Sequence, residues 1–366
     1  MNRRSPRSSR KLNVFDPFLN LMKLYGVNYR SSEPNIKHHL LSLLPFILSL
    51  LLTSFRIFSF GQQATEDIAY GNHFFYNILA LVALVHLFKT RTKVLKIFTY
   101  INLFISDDLK PSLVRISWYF MVLWFCYVVW DVPLQVIFSY RHGIDQFLTS
   151  TVYVNADGMS SLTKFAMVTL FSISSSISAG FMLQICTPLY LFILRVFKDI
   201  ISDFLKQEFA TTDVEIENYI RRWSQLKTAT STFEDLFSIY PLLWFSNLFV
   251  KSCVFLVKLK SMSFEINAII LVSYGWFASE CVLSSLVLFT IDRVNKSTRM
   301  MYDNFKRQNM SRLLVNPKFD RLSVEINDSL SLNLTAWSLF DLNKKFMLSF
   351  ISSLVSFSVL FMQLSN

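Results

Sequence analysis

The 366-residue sequence has little charge and few glycines. Only 17% of its residues are charged and seven are glycine, whereas 52% are hydrophobic and 37 residues are phenylalanine. Soluble domains carry about 25% charged residues and cannot hide so much apolar surface from water. Loops that cradle phosphate groups are difficult to build with so few glycines. The composition therefore predicts a membrane protein that crosses the bilayer several times.

Catalytic and metal-binding patterns are also missing from the sequence. It contains no HExxH, GxSxG, GxxxxGK[ST] or GxGxxG motif, and its five histidines are scattered. The four cysteines, Cys126, Cys186, Cys253 and Cys281, lie in separate apolar runs. This pattern favours small buried side chains over disulfides or metal ligands. We therefore expect no enzymatic activity, no metal site and no cofactor.

Several apolar runs are long enough to cross about 30 Å of hydrocarbon. They predict an all-α fold with seven transmembrane helices at residues 39–60, 73–89, 114–140, 165–194, 238–257, 266–291 and 344–364. The N-terminal residues are basic and polar, so we expect no cleavable signal peptide. The net charge of +11 forms no arginine-rich face or known motif, so we expect no nucleic-acid partner.

Lysine and arginine alternate between high and low counts along the chain. From the N-terminal segment to the loop before the last span, successive segments carry eight, zero, four, two, six, two and eight of these residues. Since cytosolic loops are rich in positive charge, we expect segment 1–38 to be cytosolic, 39–364 to form the transmembrane domain and 365–366 to be an extracellular tail. This orientation is opposite to that of G-protein-coupled receptors. Four Asn-x-Ser/Thr sequons in loop 292–343 favour the opposite orientation, but short sequons readily arise by chance.

The cytosolic side is expected to be substantial. Segment 195–237 has two sets of apolar residues at helical spacing, separated by "TTDVE", in which Thr212 and Glu215 form a capping pair. We therefore expect spans four and five to continue as long helices and to pack as a cytosolic hairpin. Loop 292–343 adds a third helix near 293–314. The apolar stripes of these helices fit packing within one chain and contact between subunits equally well.

Ionisable residues inside apolar spans usually face a bundle interior or water. Together with nearby serines and aromatic side chains, they predict an outward-opening ligand pocket formed by spans three to six. Its candidate residues are Tyr127, Trp130, Asp131, Ser172, Ser175, Lys251 and Glu280. The alternative is structural: Lys251 pairs with Asp131 or Glu280, and the serines bond back to helix carbonyls.

The last span carries a polar stripe. At 3.6 residues per turn, one side of this helix is lined by Ser349, Ser352, Ser353, Ser356, Leu360 and Gln363. The other side is rich in phenylalanine. Symmetry-related copies would place their polar stripes around a water-filled axis, with Leu360 as a dewetting constriction. Alternatively, the serines allow close helix packing and Gln363 lies at the membrane interface.

The C-terminal segment resembles the signature of insect gustatory receptors. That signature has an Ala-x-Gly-Leu-Phe run followed by Asn, then Thr-Tyr, five hydrophobic residues and Gln-Phe. "AWSLFDLNKK" matches its first part and "SFSVLFMQL" its second, with Ser338 in place of Gly, Phe357 in place of Tyr and Gln363 retained. "FDPFLNLMKLYGV" near the N-terminus resembles the family's N-terminal segment.

The resemblance implies a chemosensory, ligand-gated cation channel of the plasma membrane, assembled as a homo- or heterotetramer. In the family, the last span lines the pore, which places Ser356, Leu360 and Gln363 at pore and gate positions. A small-molecule tastant would bind the outward pocket, and the lipid bilayer and sister subunits would be the other partners. The alternatives are a metabotropic seven-helix receptor, a divergent member that does not conduct, and a transporter, for which no internal repeat is found.

Overall fold

A computed structural model describes residues 13–23, 36–63, 68–141, 143–152, 154–177, 179–206, 213–261, 268–308, 335–336, 340–342 and 344–364. Nearly all of these residues are helical. The helices are α1 (Asp16–Met22), α2 (Ile36–Gln63), α3 (Ile68–Phe104), α4 (Lys110–Arg141), α5 (Ile144–Phe147), α6 (Ser161–Ile177), α7 (Ala179–Lys206), α8 (Asp213–Phe237), α9 (Ile239–Ser261), α10 (Ala268–Gln308) and α11 (Lys344–Leu364). A π turn, Leu148–Val152, follows α5. The all-α prediction is therefore confirmed.

The described residues also include two very short strands. Strand β1, Thr335–Ala336, pairs antiparallel with β2, Phe340–Asp341, just before α11. The four paired residues stand at the two ends of the "TAWSLFD" run, which the sequence analysis did not predict to be extended. Two residues per strand are too few to form an independent sheet.

The predicted spans agree with the helices to within a few residues at most ends. Span 165–194 is divided between α6 and α7, and residue 178 between them lies outside the described residues. Among the residues that the structure describes, two stretches are long and apolar enough to cross a membrane, Leu43–Gly61 and Arg221–Phe255. Shorter apolar helical stretches cover Ser161–Ile173 and Leu348–Phe357.

Three helices run well beyond the predicted spans. α3 continues to Phe104, α7 continues to Lys206, and α10 has 41 residues and a length of about 60 Å. α8 begins at Asp213, as the predicted break near "TTDVE" requires, while the capping residue Thr212 itself is outside the described set. The rings of Phe204 and Trp223 lie 5.1 Å apart, so the ends of α7 and α8 pack against each other as a hairpin. The third predicted helix, 293–314, is the continuation of α10 as far as Gln308.

The main core lies where α1 meets the extended ends of α3, α7 and α8. Phe15, the N-cap residue of α1, stacks on Phe98 of α3 at 4.4 Å and meets Phe192 of α7 edge-on at 5.7 Å. Phe98 also stacks on Phe237, the last residue of α8. α1 can insert here because Pro17 fixes the backbone of its first turn and because its apolar residues are buried on both sides. A smaller cluster of Leu148, Ala156 and Val168 joins the π turn to α6.

Helices α2, α3 and α9 define two antiparallel contacts. Phe46 and Phe60 of α2 stack on Phe88 and His73 of α3, so residue numbers rise in opposite directions along the pair. Tyr240 and Lys251 of α9 meet His86 and Tyr76 of α3 in the same manner. These two registers fix the level at which each residue of α3 lies relative to its neighbours.

Candidate pore helix and ligand-binding region

The last helix, α11, is attached to its own chain by one face. Phe346 and Phe350 both meet Phe245 of α9 edge-on, at 4.9 and 5.4 Å. One to two turns further on, Phe249 meets Phe357 at 5.2 Å. Residues 346, 350 and 357 share a side of the helix, because each residue turns it by about 100°. This ladder of phenylalanine rings fixes which side of α11 faces α9.

The polar stripe of α11 is turned away from this ladder. Its serines, Ser349, Ser352, Ser353 and Ser356, are all exposed, as is Gln363. Leu360, in line with them, is 50% exposed. Ser356 Oγ donates a hydrogen bond to the Ser352 carbonyl at 3.0 Å, and the hydroxyl oxygen can still accept one. The three predicted gate residues are thus accessible on one side of α11.

A third side of α11 is aliphatic and also exposed. Leu348 is 69% exposed, Val355 is 59% exposed and Val359 is 50% exposed. In water such a surface would be costly, since burying a side chain of this size contributes about 1.5–3 kcal/mol. A helix with one packed, one polar and one aliphatic side requires different surroundings on each. Hydrocarbon suits the aliphatic side, and water or polar groups suit the serine side.

Two of the predicted ligand-pocket residues have described side chains. Lys251 on α9 places its Nζ 5.0 Å from the centre of the Tyr76 ring on α3, within the range of a cation–π interaction. Ser172 on α6 is buried, and its neighbour Phe171 faces Arg56 of α2. The contact described for Lys251 is with α3, whereas the contact described beside Ser172 is with α2.

The other five pocket candidates are placed only by their backbones. Tyr127, Trp130 and Asp131 lie in the second half of α4, Ser175 lies in α6 and Glu280 lies in α10. Their side-chain surroundings are outside the described part of the chain. Convergence of all seven residues on one pocket stays a prediction.

The sequence analysis overlooked Arg56, a cation inside the first apolar span. Its guanidinium carbon lies 5.5 Å from the centre of the Phe60 ring and 5.6 Å from that of the Phe171 ring. The signal was present in "LLTSFRIFSF", where one arginine interrupts a long apolar run. A charge in such a place marks a polar interior or a functional site by default. Arg56 thus joins Ser172 among the polar residues at the contact between α2 and α6.

A second overlooked group stabilises the junction of α8 and α9. His86 Nε2 lies 3.0 Å from the Leu236 carbonyl oxygen, and the ring meets Tyr240 edge-on at 5.8 Å. Since a carbonyl oxygen only accepts, His86 carries a proton on Nε2 and donates it to Leu236 near the end of α8. The described residues contain no group of three or more His, Cys, Asp or Glu that could hold a metal ion.

Comparison with solved structures shows a shared fold. The chain is similar to the insect olfactory receptor OR5 from Machilis hrabei, with a TM-score of 0.62, 12% identity, and coverage of 95% of this chain and 97% of the receptor chain. It is also similar to the same receptor in complex with eugenol, with a TM-score of 0.59, 14% identity, and coverage of 95% and 98%. No protein-family model and no curated protein sequence matches the chain. The fold is thus that of an insect olfactory receptor along nearly the whole chain.

Proposed function

We propose that the chain is a subunit of a chemosensory, ligand-gated cation channel of the insect chemoreceptor superfamily, and of its gustatory branch. The fold supports the superfamily, since it covers nearly all of a solved olfactory receptor. The C-terminal run that ends at Gln363 supports the gustatory branch. The observation that carries the channel proposal is the exposure of Ser356, Leu360 and Gln363 on a helix that its own chain holds by the phenylalanine side, about a quarter turn away.

In this proposal, copies of α11 line a pore across the plasma membrane. The serines and Gln363 contact water on a shared axis, and Leu360 closes that axis when no ligand is bound. The aliphatic side of α11 contacts lipid or a sister subunit. A tetramer is the assembly that the family resemblance implies, and a closed ring of identical or related chains satisfies the polar stripe of every copy at once.

A small molecule bound between the helices would open the pore by shifting a pre-existing equilibrium. It must bind the open state more tightly than the closed one, because equal affinity for both shifts nothing. Lys251 and Ser172, with Tyr127, Trp130, Asp131, Ser175 and Glu280, are the residues we propose for its pocket. The solved receptor that binds eugenol gives the precedent for a small organic ligand in this fold. α9 links the two regions, since one side of it meets Tyr76 and the other carries the phenylalanine ladder.

Electrical recording with cysteine labelling tests the proposal. The chain is expressed with Ser356→Cys, and a charged thiol reagent is applied from outside during whole-cell recording. We expect the reagent to change the current, whereas the same reagent has no effect on a Leu354→Cys control, which lies on the phenylalanine side. If the reagent leaves the current of Ser356→Cys unchanged, the proposal that α11 lines the pore is contradicted. Ligand responses that persist without any current of the chain's own would favour a metabotropic or non-conducting receptor.

A further inference from the structure

The first part of α4 has a buried side and an exposed side. Phe120 meets Phe192 of α7 edge-on at 6.4 Å, and Leu113 and Ser117 are buried. At about 100° per residue, residues 113, 117 and 120 lie on one side of the helix. The opposite side is exposed and consists of Arg115, Trp118, Tyr119, Val122, Phe125 and Val129. The packing of α4 on α7 therefore fixes which side of this helix is turned outward.

The exposed side of α4 changes in character along its length. Arg115 is the only charged residue in "PSLVRISWYFMVLWF", and it lies one turn before the indole of Trp118 and the phenol of Tyr119. Val122 and Phe125 follow, so the polar groups are confined to one end. The side chains of these last four residues are each more than half exposed. The helix rises about 15 Å from Arg115 to Phe125, which is half of a hydrocarbon core of about 30 Å. This side therefore has the length of one leaflet.

The exposed side of α2 provides a comparison. Its residues Leu44, Leu48 and Leu51 are each more than half exposed and share one side of the helix. They carry no polar group, so the acyl chains of bulk lipid satisfy such a surface. The exposed side of α4 presents, in addition, one cationic donor and two flat rings that each carry a hydrogen-bonding atom. A flat, largely apolar molecule with one polar end matches this combination better than an acyl chain does.

We propose that the exposed side of α4 from Arg115 to Phe125 binds a sterol. A sterol has a rigid, flat ring system with one hydroxyl group at one end and an aliphatic tail at the other. The Arg115 guanidinium bonds to the sterol hydroxyl, the rings of Trp118 and Tyr119 pack against the flat ring system, and the residues beyond them contact its apolar remainder. Arg115, Tyr119 and Val122 also follow the basic–aromatic–aliphatic spacing that has been proposed for sterol contact in membrane helices.

The small number of charges favours a sterol over an anionic phospholipid. Binding of anionic headgroups commonly uses clusters of about four to eight cations. This side of α4 offers a single arginine, and the preceding cation, Lys110, forms an ion pair with Asp107 at 2.6 Å. The proposal rests on the membrane-spanning arrangement of the proposed function, which places the start of α4 at the cytosolic leaflet. It does not depend on whether the chain conducts ions.

Photolabelling of the purified full-length protein in detergent tests the proposal. The probe is a cholesterol analogue with a photoactivatable diazirine, and the competitors are cholesterol, epicholesterol, whose hydroxyl is inverted, and dioctanoyl phosphatidylglycerol. We expect cholesterol to prevent labelling, epicholesterol to do so only at higher concentration, and phosphatidylglycerol to have no effect. Arg115→Gln and Tyr119→Leu should each raise the probe concentration for half-maximal labelling about tenfold, because a charged donor or a ring contact is lost. Arg115→Lys should keep the wild-type value, since one cationic donor is enough for one hydroxyl.

Matched controls separate this side of α4 from general lipid contact. Lys93→Gln removes an exposed cation from α3, Phe58→Leu removes an exposed ring from α2, and neither should change the labelling. Equal losses in these controls, or equal competition by phosphatidylglycerol, would overturn the proposal. So would wild-type labelling in both Arg115→Gln and Tyr119→Leu, or an unlabelled wild-type protein, as expected if a sister subunit covers this side.

The two test variants are independent of each other. Arg115 and Tyr119 are both exposed, so we expect both variants to fold, and if one does not purify, the other decides. Currents recorded in parallel report on the channel proposal separately. A protein that binds the sterol probe but carries no current contradicts the channel proposal alone, whereas a conducting protein that is not labelled contradicts the sterol proposal alone.

Discussion

The aromatic core around α1 and the terminal helix α11 bury their phenylalanines very differently. Phe15, Phe98, Phe192 and Phe237 are fully buried and contact rings from several helices. In α11, Phe346 and Phe350 are only partly buried, and apart from each other their ring partners among the described residues are on α9. The core end is thus packed within its own chain, whereas two of the three sides of α11 are exposed in it. A firmly packed base and a helix with two exposed sides are what the proposed gated pore requires.

The largest effect expected from this comparison concerns stability. Phe98→Ala in the core should cost about 3–5 kcal/mol of unfolding free energy, because it removes stacking on Phe15 and Phe237 and leaves a cavity. Phe357→Ala on α11 should cost only about 1–2 kcal/mol, since Phe357 is already half exposed in the single chain. Melting of both variants in detergent measures the difference. Similar losses in the two variants would show that α11 is as firmly packed as the core.

A smaller but more specific effect is expected at Leu360. Leu360→Ala shortens the side chain that we place at the constriction, and should raise the current without ligand about tenfold, the result of a shift of about 1.4 kcal/mol between closed and open states. The melting temperature should barely change, because Leu360 is half exposed. Leu348→Ala, an exposed residue on the aliphatic side of α11, is the matched control and should leave the basal current as it is. A basal current in Leu360→Ala equal to that of the wild type would contradict the assignment of Leu360 as the gate.

The sequence predicted the positions of the helices well because their signal is local. Apolar runs, and the helical spacing of residues in 195–237, identify helices without reference to any neighbour. The pattern of α11 predicted a serine side and a phenylalanine side, but it left open whether the phenylalanine side faces lipid or a neighbouring helix. What the pattern could not give was the partner: the ladder of Phe245 and Phe249 on α9 depends on packing between distant segments.

The ligand region was harder to predict for the same reason. Lys251 was identified as a costly charge in a span, but its contact with Tyr76 depends on the register of α3 against α9. Arg56 was missed because a single arginine barely lowers the apolar character of the long run around it. His86 was missed because its acceptor, the Leu236 carbonyl, lies 150 residues away in the sequence. Pairings of this kind follow from tertiary geometry, which periodicity does not contain.

The pair formed by Lys251 and Tyr76 gives a third test, on the helix that joins the two regions. Lys251→Met and Tyr76→Leu should each lower stability modestly, and their double-mutant cycle should give a coupling of about 0.5–1 kcal/mol, as expected for a cation–π contact. If the pair also belongs to the ligand pocket, both variants should shift the ligand concentration for half-maximal current, while Phe249→Leu on the opposite side of α9 alters gating without that shift. Zero coupling would mean that the two side chains do not interact in solution.

The smallest effect is expected at Ser356, and it separates packing from water contact. Ser356→Ala removes a hydroxyl that bonds to the carbonyl of its own helix, so its stability cost should be below about 0.5 kcal/mol. If the serine side of α11 contacts water in a pore, the same variant should still change single-channel conductance, because a polar group on the ion path becomes apolar. Val355→Ala, a neighbouring exposed residue on the aliphatic side, should change neither stability nor conductance. If Ser356→Ala leaves the conductance unchanged but clearly lowers stability, this serine lies in a packed interface. The serine side of α11 would then be packed like the aromatic core.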